Sequence, residues 1–505
     1  MGTAGVAFMS GWLWLTLPLL TWLVLWFLGR LPTVEPRPQS AAFHDTTGTG
    51  LGRIVAAIAG ARPGLSGVRL IYDAEDALAS RLALLAAAER CVELQYYIWR
   101  NDSSGRQLLA ALRAAARRGV RVRLLLDDNG IAGMDPLLAA LDAHANVEVR
   151  LFNPFVIRRP KPVGYLTNFF RLNRRMHNKS FTVDKQVTIV GGRNIGDEYF
   201  GRNRLEAVSD LDILAVGAIV PAVMADFDRY WTSRSVWPAA RFLQPAAADD
   251  SALPDNPATP MVGLREGLTW ARVSMVSDDP AKGLGTAPHC GLIGARLAMA
   301  IGQPRQRLEL VSAYFVPTAS GVTALTDLAV DGVHIDVLTN SLQATDVGIV
   351  HAGYAPSRRP LLRAGVGLWE LKGADPRAPA KLGLRSGLVR GSTFQSGGTA
   401  LHAKTFTVDG EKLFVGSFNF DPRSVRLNTE IGFIVESPEL AQGLRSFFHD
   451  RVAQLAYQVV LVDDRLQWIE RDGDMTTIHK KEPGTKPLQR LILALLSRLP
   501  VKWLL

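Results

Sequence analysis

"RRMHNKSFTVDKQVTIVGGRN", residues 174–194, sets a histidine two positions before a lysine, adds a short polar turn and closes an apolar run on Gly-Gly. A second stretch, "LHAKTFTVDGEKLFVGSFN" at 401–419, repeats the phrase. At one constant offset His177 aligns with His402, Lys179 with Lys404, Asp184 with Asp409, Gly191 with Gly416 and Asn194 with Asn419. In an extended strand residues i and i+2 share a face, so His177 and Lys179 project together, as do His402 and Lys404. The apolar run then returns and brings Asn194 back towards His177. One H-x-K is an ordinary surface pair. Two copies with the same polar residues at the same offsets are not something packing demands.

The repetition extends upstream. "LQYYIW" (94–99) matches "SAYFVP" (312–317) in pattern, and "RGVRVRLLLDDN" (118–129) matches "DGVHIDVLTNS" (331–341). Runs such as "VRVRLLL" suit strands, and Leu108, Leu112 and Ala115 stand at helical spacing. The fold expected is α/β: two homologous domains, 43–245 and 261–470, facing each other about a pseudo-twofold axis. The Pro/Ala/Asp-rich stretch 246–260 reads as their linker. "GTGLG" at 48–52 has no strand before it and reads as a loop. Cys91 and Cys290 lack metal-ligand spacing and read as core residues.

Lysine is a poor metal ligand, so the paired motif does not describe a usual metal centre. It suits a phosphodiester. Two lysines and two side-chain amides supply positive charge and donors for non-bridging oxygens. One histidine can attack phosphorus while the other protonates the leaving alkoxide.

These residues resemble the duplicated HKD motif of the phospholipase D superfamily. The surroundings, among them "LQYYIWRND", "VEVRLFNPF", "VGGRNIGDEYF" and "HAGYAPSRRPLLRAGVGLWELK", resemble its bacterial cardiolipin-synthesising branch. The resemblance runs from about residue 43 to 470. It implies a covalent phosphohistidine formed with no metal and no cofactor, His177 being the nucleophile and His402 the acid. Lys179, Lys404, Asn194 and Asn419 would hold the phosphoryl oxygens. It also implies a carboxylate behind each imidazole, with Asp210 and Glu430 the candidates. Glu430 would cross over to serve His177 and Asp210 to serve His402; Asp212 is the alternative to Asp210. Asp184 and Asp409 are expected to hold the hairpins. Tyr354 and Arg358 are expected to contact headgroup or lipid phosphate; Asp127 and Asp128 either cap the following loop or supply negative charge for the ammonium of ethanolamine.

The ends favour a lipid. Val6–Leu28 carries no charge and four tryptophans, long enough to span a bilayer as an uncleaved anchor within residues 1–30. Residues 485–505 alternate apolar and basic positions like an interfacial helix. The net charge is +10, and Arg158, Arg159, Lys161, Arg171, Arg174 and Arg175 crowd the approach to the first motif, as a face meeting anionic lipid would. The expected partners are phosphatidylglycerol, phosphatidylethanolamine as an alternative donor, and the bacterial inner membrane, with no nucleic acid and activity as a monomer. A phospholipase D releasing phosphatidic acid, a nuclease or other phosphodiesterase, and an inactive binding protein are the rival readings.

Overall fold

A computed structural model describes residues 19–32, 40–202, 208–244, 263, 266–345, 347–373 and 400–498. In the first half the strands are β1 (Ser66–Ile71), β2 (Cys91–Ile98), β3 (Arg121–Gly130), β4 (Val147–Phe152) and β5 (Ser180–Val183). They continue with β6 (Val187–Gly191), β7 (Val208–Ser209), β8 (Asp212–Gly217) and β9 (Val236–Pro238). The second half holds β10 (Thr269–Ser277), β11 (Arg307–Ser312), β12 (His334–Asn340), β13 (Gly367–Leu371) and β14 (Ala400–Leu401). After these come β15 (Lys404–Val408), β16 (Lys412–Gly416), β17 (Ile431–Glu436), β18 (Ala456–Val462), β19 (Arg465–Asp472) and β20 (Met475–His479).

The spatial order in the first half is β9–β4–β3–β2–β5–β6–β8–β1. In the second it is β18–β13–β12–β11–β15–β16–β17–β10. The same plan is built twice. Within each, three neighbours run parallel (β2, β3 and β4; β11, β12 and β13) and the motif hairpin is antiparallel to them. The two sheets meet where β1 pairs with β10, from Ser66↔Ala271 to Val68↔Thr269.

The packing follows from the pattern. Asp102 caps the helix Ser103–Arg117, and Leu108, Leu109, Leu112 and Ala115 bury its apolar stripe on the first sheet. Each half has its own core, and a third cluster lies between them, where Val190, Ile213 and Ala215 meet Val415, Ile431 and Phe433. Burial of these branched side chains, at about 25 cal/mol per Å² of apolar area, ties the halves into one body.

Several expectations need correction. The "GTGLG" stretch opens a helix, Gly50–Ala59, capped by the Thr49 hydroxyl on Gly52 N; Leu51 and Val55 at i and i+4 bury into the first core. Cys91 is buried, but Cys290 is exposed within the short 3₁₀ turn His289–Gly291. The second sheet runs past residue 470, because the β19–β20 hairpin extends it beyond β18, with no counterpart among the described residues of the first half. The 246–260 linker lies outside the described residues, as do residues 1–18 of the expected anchor. Residues 19–28 are helical, and among the described residues no helix is long and apolar enough to cross a membrane. Near the C-terminus, the helix Pro487–Leu496 packs Leu493 against Leu342 and Ala352.

The motif aspartates sit at the hairpin turns with left-handed φ, 49° at Asp184 and 54° at Asp409. Asp184 accepts from the backbone N–H of Glu89, Arg90 and Cys91 at 3.0, 2.7 and 2.9 Å. Asp409 does the same for Arg305, Gln306 and Arg307 at 3.0, 2.7 and 2.9 Å. Each therefore stitches its hairpin to the start of the neighbouring parallel strand, at the end remote from the histidine. Asp184→Ala is expected to cost about 3 kcal/mol, since it strands N–H donors that water cannot fully reach. Asp409→Ala should cost less, because the Arg305 and Gln306 donors are exposed. Urea denaturation of the two variants checks the order.

Candidate active site

Each motif histidine is placed by a backbone bridge from the other half. His177 N–H donates to Thr429 O at 2.9 Å, and Thr429 N–H donates back to Arg175 O at 2.9 Å. In the other half β14 pairs with β7, and His402 N–H donates to Ser209 O at 2.8 Å. The residue following each bridging position is a carboxylate: Glu430 after Thr429, Asp210 after Ser209. Glu430 Oε2 lies 2.8 Å from His177 Nδ1, and Asp210 Oδ2 lies 2.5 Å from His402 Nδ1. With the His177 Nδ1–H donated to Glu430, its Nε2 carries the lone pair; His402 turns its Nδ1 to Asp210 in the same way and leaves Nε2 as its proton-exchanging atom. Asp212 is elsewhere: Arg81 binds it at 2.8 Å inside the first half.

Lys179 Nζ donates to His177 O at 2.7 Å, and Lys404 Nζ contacts His402 through O and Nδ1. Asn194 Oδ1 accepts from Ile98 N at 3.2 Å, so its amide nitrogen is left without a partner among the described residues. The Asn419 side-chain oxygen is likewise unpartnered.

Electrostatics separate the two histidines' carboxylates. Burial raises Glu430 to about 7, against the opposing pull of Lys179. Burial also works upward on Asp210, but His402 and Lys404 outweigh it and hold that carboxyl well below the usual range. His177 is lowered well below its ordinary value by burial, then by Lys179 and Lys404. His402 is lowered by burial and Lys404, with Asp210 pulling the other way. Lys179 falls to about 7, driven by burial and only partly offset by Glu430.

The residue beside each carboxylate is matched to it. A Cβ at Gly192 would stand 2.1 Å from Asp210 Oδ1, so only glycine fits. At the equivalent position the Ser417 hydroxyl donates to Glu430 Oε2 at 2.5 Å.

Residues that the sequence reading gave no role complete the frame. Tyr97 packs edge-on against His177 with ring centroids 5.0 Å apart, and Tyr199 against His402 at 5.3 Å. Both come from the first half; the second-half equivalent of Tyr97 is Phe315, which packs on Tyr354.

Asp127 and Asp128 do not face a ligand. Asp127 accepts from Arg175 Nε at 3.0 Å and Met176 N at 2.7 Å. Asp128 binds Arg158 at 2.5 Å and Lys161 at 2.9 Å. Their charge is neutralised internally, and much of the basic cluster expected to meet lipid is consumed in doing so. The second-half equivalent of Asp127 is Asn340, which takes Leu401 N at 2.9 Å and gives to Leu401 O at 2.9 Å. The same strand-end residue thus grips the backbone immediately before each histidine.

Tyr354 and Arg358 also need correction, being only 2% and 3% exposed. Arg358 lies between Glu370 at 2.7 Å, Glu482 at 2.6 Å and His351 at 2.6 Å. Those three partners have the spacing of a metal cluster, but the guanidinium fills it. "HAGYAPSRR" is thus a buried ionic brace under the second sheet.

Two H-x-K pairs, two asparagines and two carboxylates crossed between the halves define a two-repeat enzyme of the phospholipase D type. The chain belongs to the family described as cardiolipin synthase, PLD-like domain, whose profile matches residues 82–231 and 297–452. It is 47% identical over 465 residues to cardiolipin synthase C of Escherichia coli (strain K12), covering 88% of this chain and 97% of that protein. It is 29% identical over 383 residues to a cardiolipin synthase of Geobacillus kaustophilus, covering 75% of this chain and 65% of that one. The crystal structure of phosphatidylserine synthase from Haemophilus influenzae Rd KW20 shares the fold. That match has a TM-score of 0.55 at 12% identity and covers 89% of this chain and 99% of that one.

The Ser417 contact yields a pH prediction. Glu430 must be ionised to hold the His177 Nδ1 proton, and the Ser417 hydroxyl favours the ionised form. Ser417→Ala removes that donor, so the Glu430 pKa rises further. The acid limb of kcat/KM is expected to move to higher pH while the basic limb stays in place. A pH–rate profile in detergent micelles reads this directly.

Proposed function

We propose that this enzyme makes cardiolipin, moving a phosphatidyl group onto phosphatidylglycerol through a phosphohistidine at His177. The observation that carries the reading is the pair of crossed histidine–carboxylate dyads, in a chain similar over nearly its whole length to a cardiolipin synthase. Residues 1–30 are assigned to membrane attachment.

In the first half-reaction His177 Nε2 attacks phosphorus of the donor phospholipid. The P–N bond forms as the P–O bond to the headgroup breaks, and His402 gives its proton to the departing alkoxide. In the second, neutral His402 takes the proton of a phosphatidylglycerol hydroxyl. That oxygen attacks phosphorus, the P–N bond breaks, and His177 is regenerated. The environments differ in degree: burial and the two lysines hold His177 well below its ordinary value, neutral and nucleophilic, while at His402 the ionised Asp210 opposes the same lowering. Lys179, Lys404 and the Asn194 and Asn419 amides meet the non-bridging oxygens, where charge accumulates.

His177→Ala and His402→Ala should both abolish cardiolipin formation on phosphatidylglycerol liposomes, yet differ in what they trap. His402→Ala is expected to accumulate phosphatidyl-enzyme from a donor with a good leaving group, which needs no acid. His177→Ala should form none. Intact-mass spectrometry after brief exposure reads the adduct; one that persists in His177→Ala reverses the assignment. Headgroup-labelled phosphatidylethanolamine mixed with phosphatidylglycerol identifies the donor.

A further inference from the structure

The helix Tyr165–Leu172 leaves Leu166 and Phe170 64% and 71% exposed. It does not stand alone. Trp22 Nε1–H of the helical stretch 19–28 donates to Leu166 O at 3.3 Å, and the Asn168 amide donates to Gly29 O at 3.4 Å. On that stretch Leu19, Leu20, Val24, Phe27 and Leu28 are exposed as well. Together they make a contiguous apolar surface of the kind that marks an interaction site.

Two features say what meets it. The sequence before Leu19 continues without a charge back to Val6, so this surface prolongs a run suited to hydrocarbon. At its other end Arg30 lies 3.8 Å over the Trp26 ring, an aromatic residue and a cation of the kind that gathers at a membrane–water boundary.

The surface is wired to the chemistry. Leu172 O accepts from Arg175 Nη1 at 3.1 Å, Arg175 grips Asp127, and Asp127 holds Met176 N, one residue before His177. Asn173 takes Arg423 from the other half through its backbone and side-chain oxygens at 2.8 and 3.0 Å. On the second half Leu488, Leu491 and Leu495 are exposed, while Leu493 beneath them packs on Leu342 just past the end of β12. Both patches therefore lie at the edge where the parallel strands end and the histidines sit.

We propose that Tyr165–Leu172, together with residues 19–28, lies in the headgroup–acyl boundary of a phospholipid bilayer and presents leaflet lipids to His177 without their leaving the membrane. This rests on the lipid-transferase reading above.

The test uses the full chain reconstituted in phosphatidylglycerol–phosphatidylethanolamine liposomes. Phe170→Cys, in a Cys290→Ser background, carries a polarity-sensitive fluorophore. Blue-shifted emission quenched by nitroxide-labelled lipid and spared by aqueous iodide is expected. Iodide quenching in catalytically active liposomes overturns the proposal. So does resistance to both quenchers, which means that the N-terminal run or a second copy covers the face. A Leu166→Ser/Phe170→Ser variant should turn over liposomal phosphatidylglycerol about tenfold more slowly, with turnover of a water-soluble short-chain donor unchanged. Equal losses on both substrates also overturn it. If wild type transfers neither lipid while the fluorophore still inserts, the transferase reading fails and the surface assignment stands.

Discussion

The site depends on a crossed backbone bridge. A strand start in each half hydrogen-bonds to the segment that, one residue later, carries the other half's carboxylate. Because that carboxylate is adjacent in sequence to the bridging residue, its position relative to the imidazole is set by main-chain geometry. Neither half can assemble a complete dyad by itself. The third apolar cluster, packed between the sheets, keeps the bridges in register.

Around that frame, charge is used twice over. Buried Arg175 and half-buried Arg158 and Lys161 on the approach to His177 are matched by Asp127, Asp128 and Asp135. The motif lysines differ: each bonds to the backbone oxygen of its own histidine, and burial drives Lys179 towards neutrality until an anion arrives. A phosphodiester restores that proton preference, so substrate binding and lysine protonation reinforce each other.

The two-domain α/β plan could be read from the repeated phrase, because the same His, Lys, Asp and Asn at fixed offsets outrun what packing requires. The crossing of Asp210 and Glu430 was named in the sequence reading from resemblance, and the distances agree with that pairing. What escaped was direction and company. Asp127 and Arg175 are far apart in sequence, so nothing local revealed that they neutralise each other. Tyr354 and Arg358 looked like surface residues because Glu482, which draws the guanidinium inward, lies more than a hundred positions downstream. The helix at Gly50 was obscured by glycines that suggested a loop, although Leu51, Ile54, Val55 and Ile58 already held its period.

The pairing of Gly192 with Asp210, and of Ser417 with Glu430, bears on how a duplicated chain diverges. In the second half, losing the serine removes the donor to Glu430 and strands the Ile431 N–H that it accepts. In the first, a serine cannot be gained while Asp210 remains, because its Cβ would collide with that carboxylate. Substitution at this position therefore carries a different penalty in each half, lost hydrogen bonds in one and a steric clash in the other. A molecule with a symmetric plan thus carries, at one matched position, an asymmetry that the duplicated motif does not show.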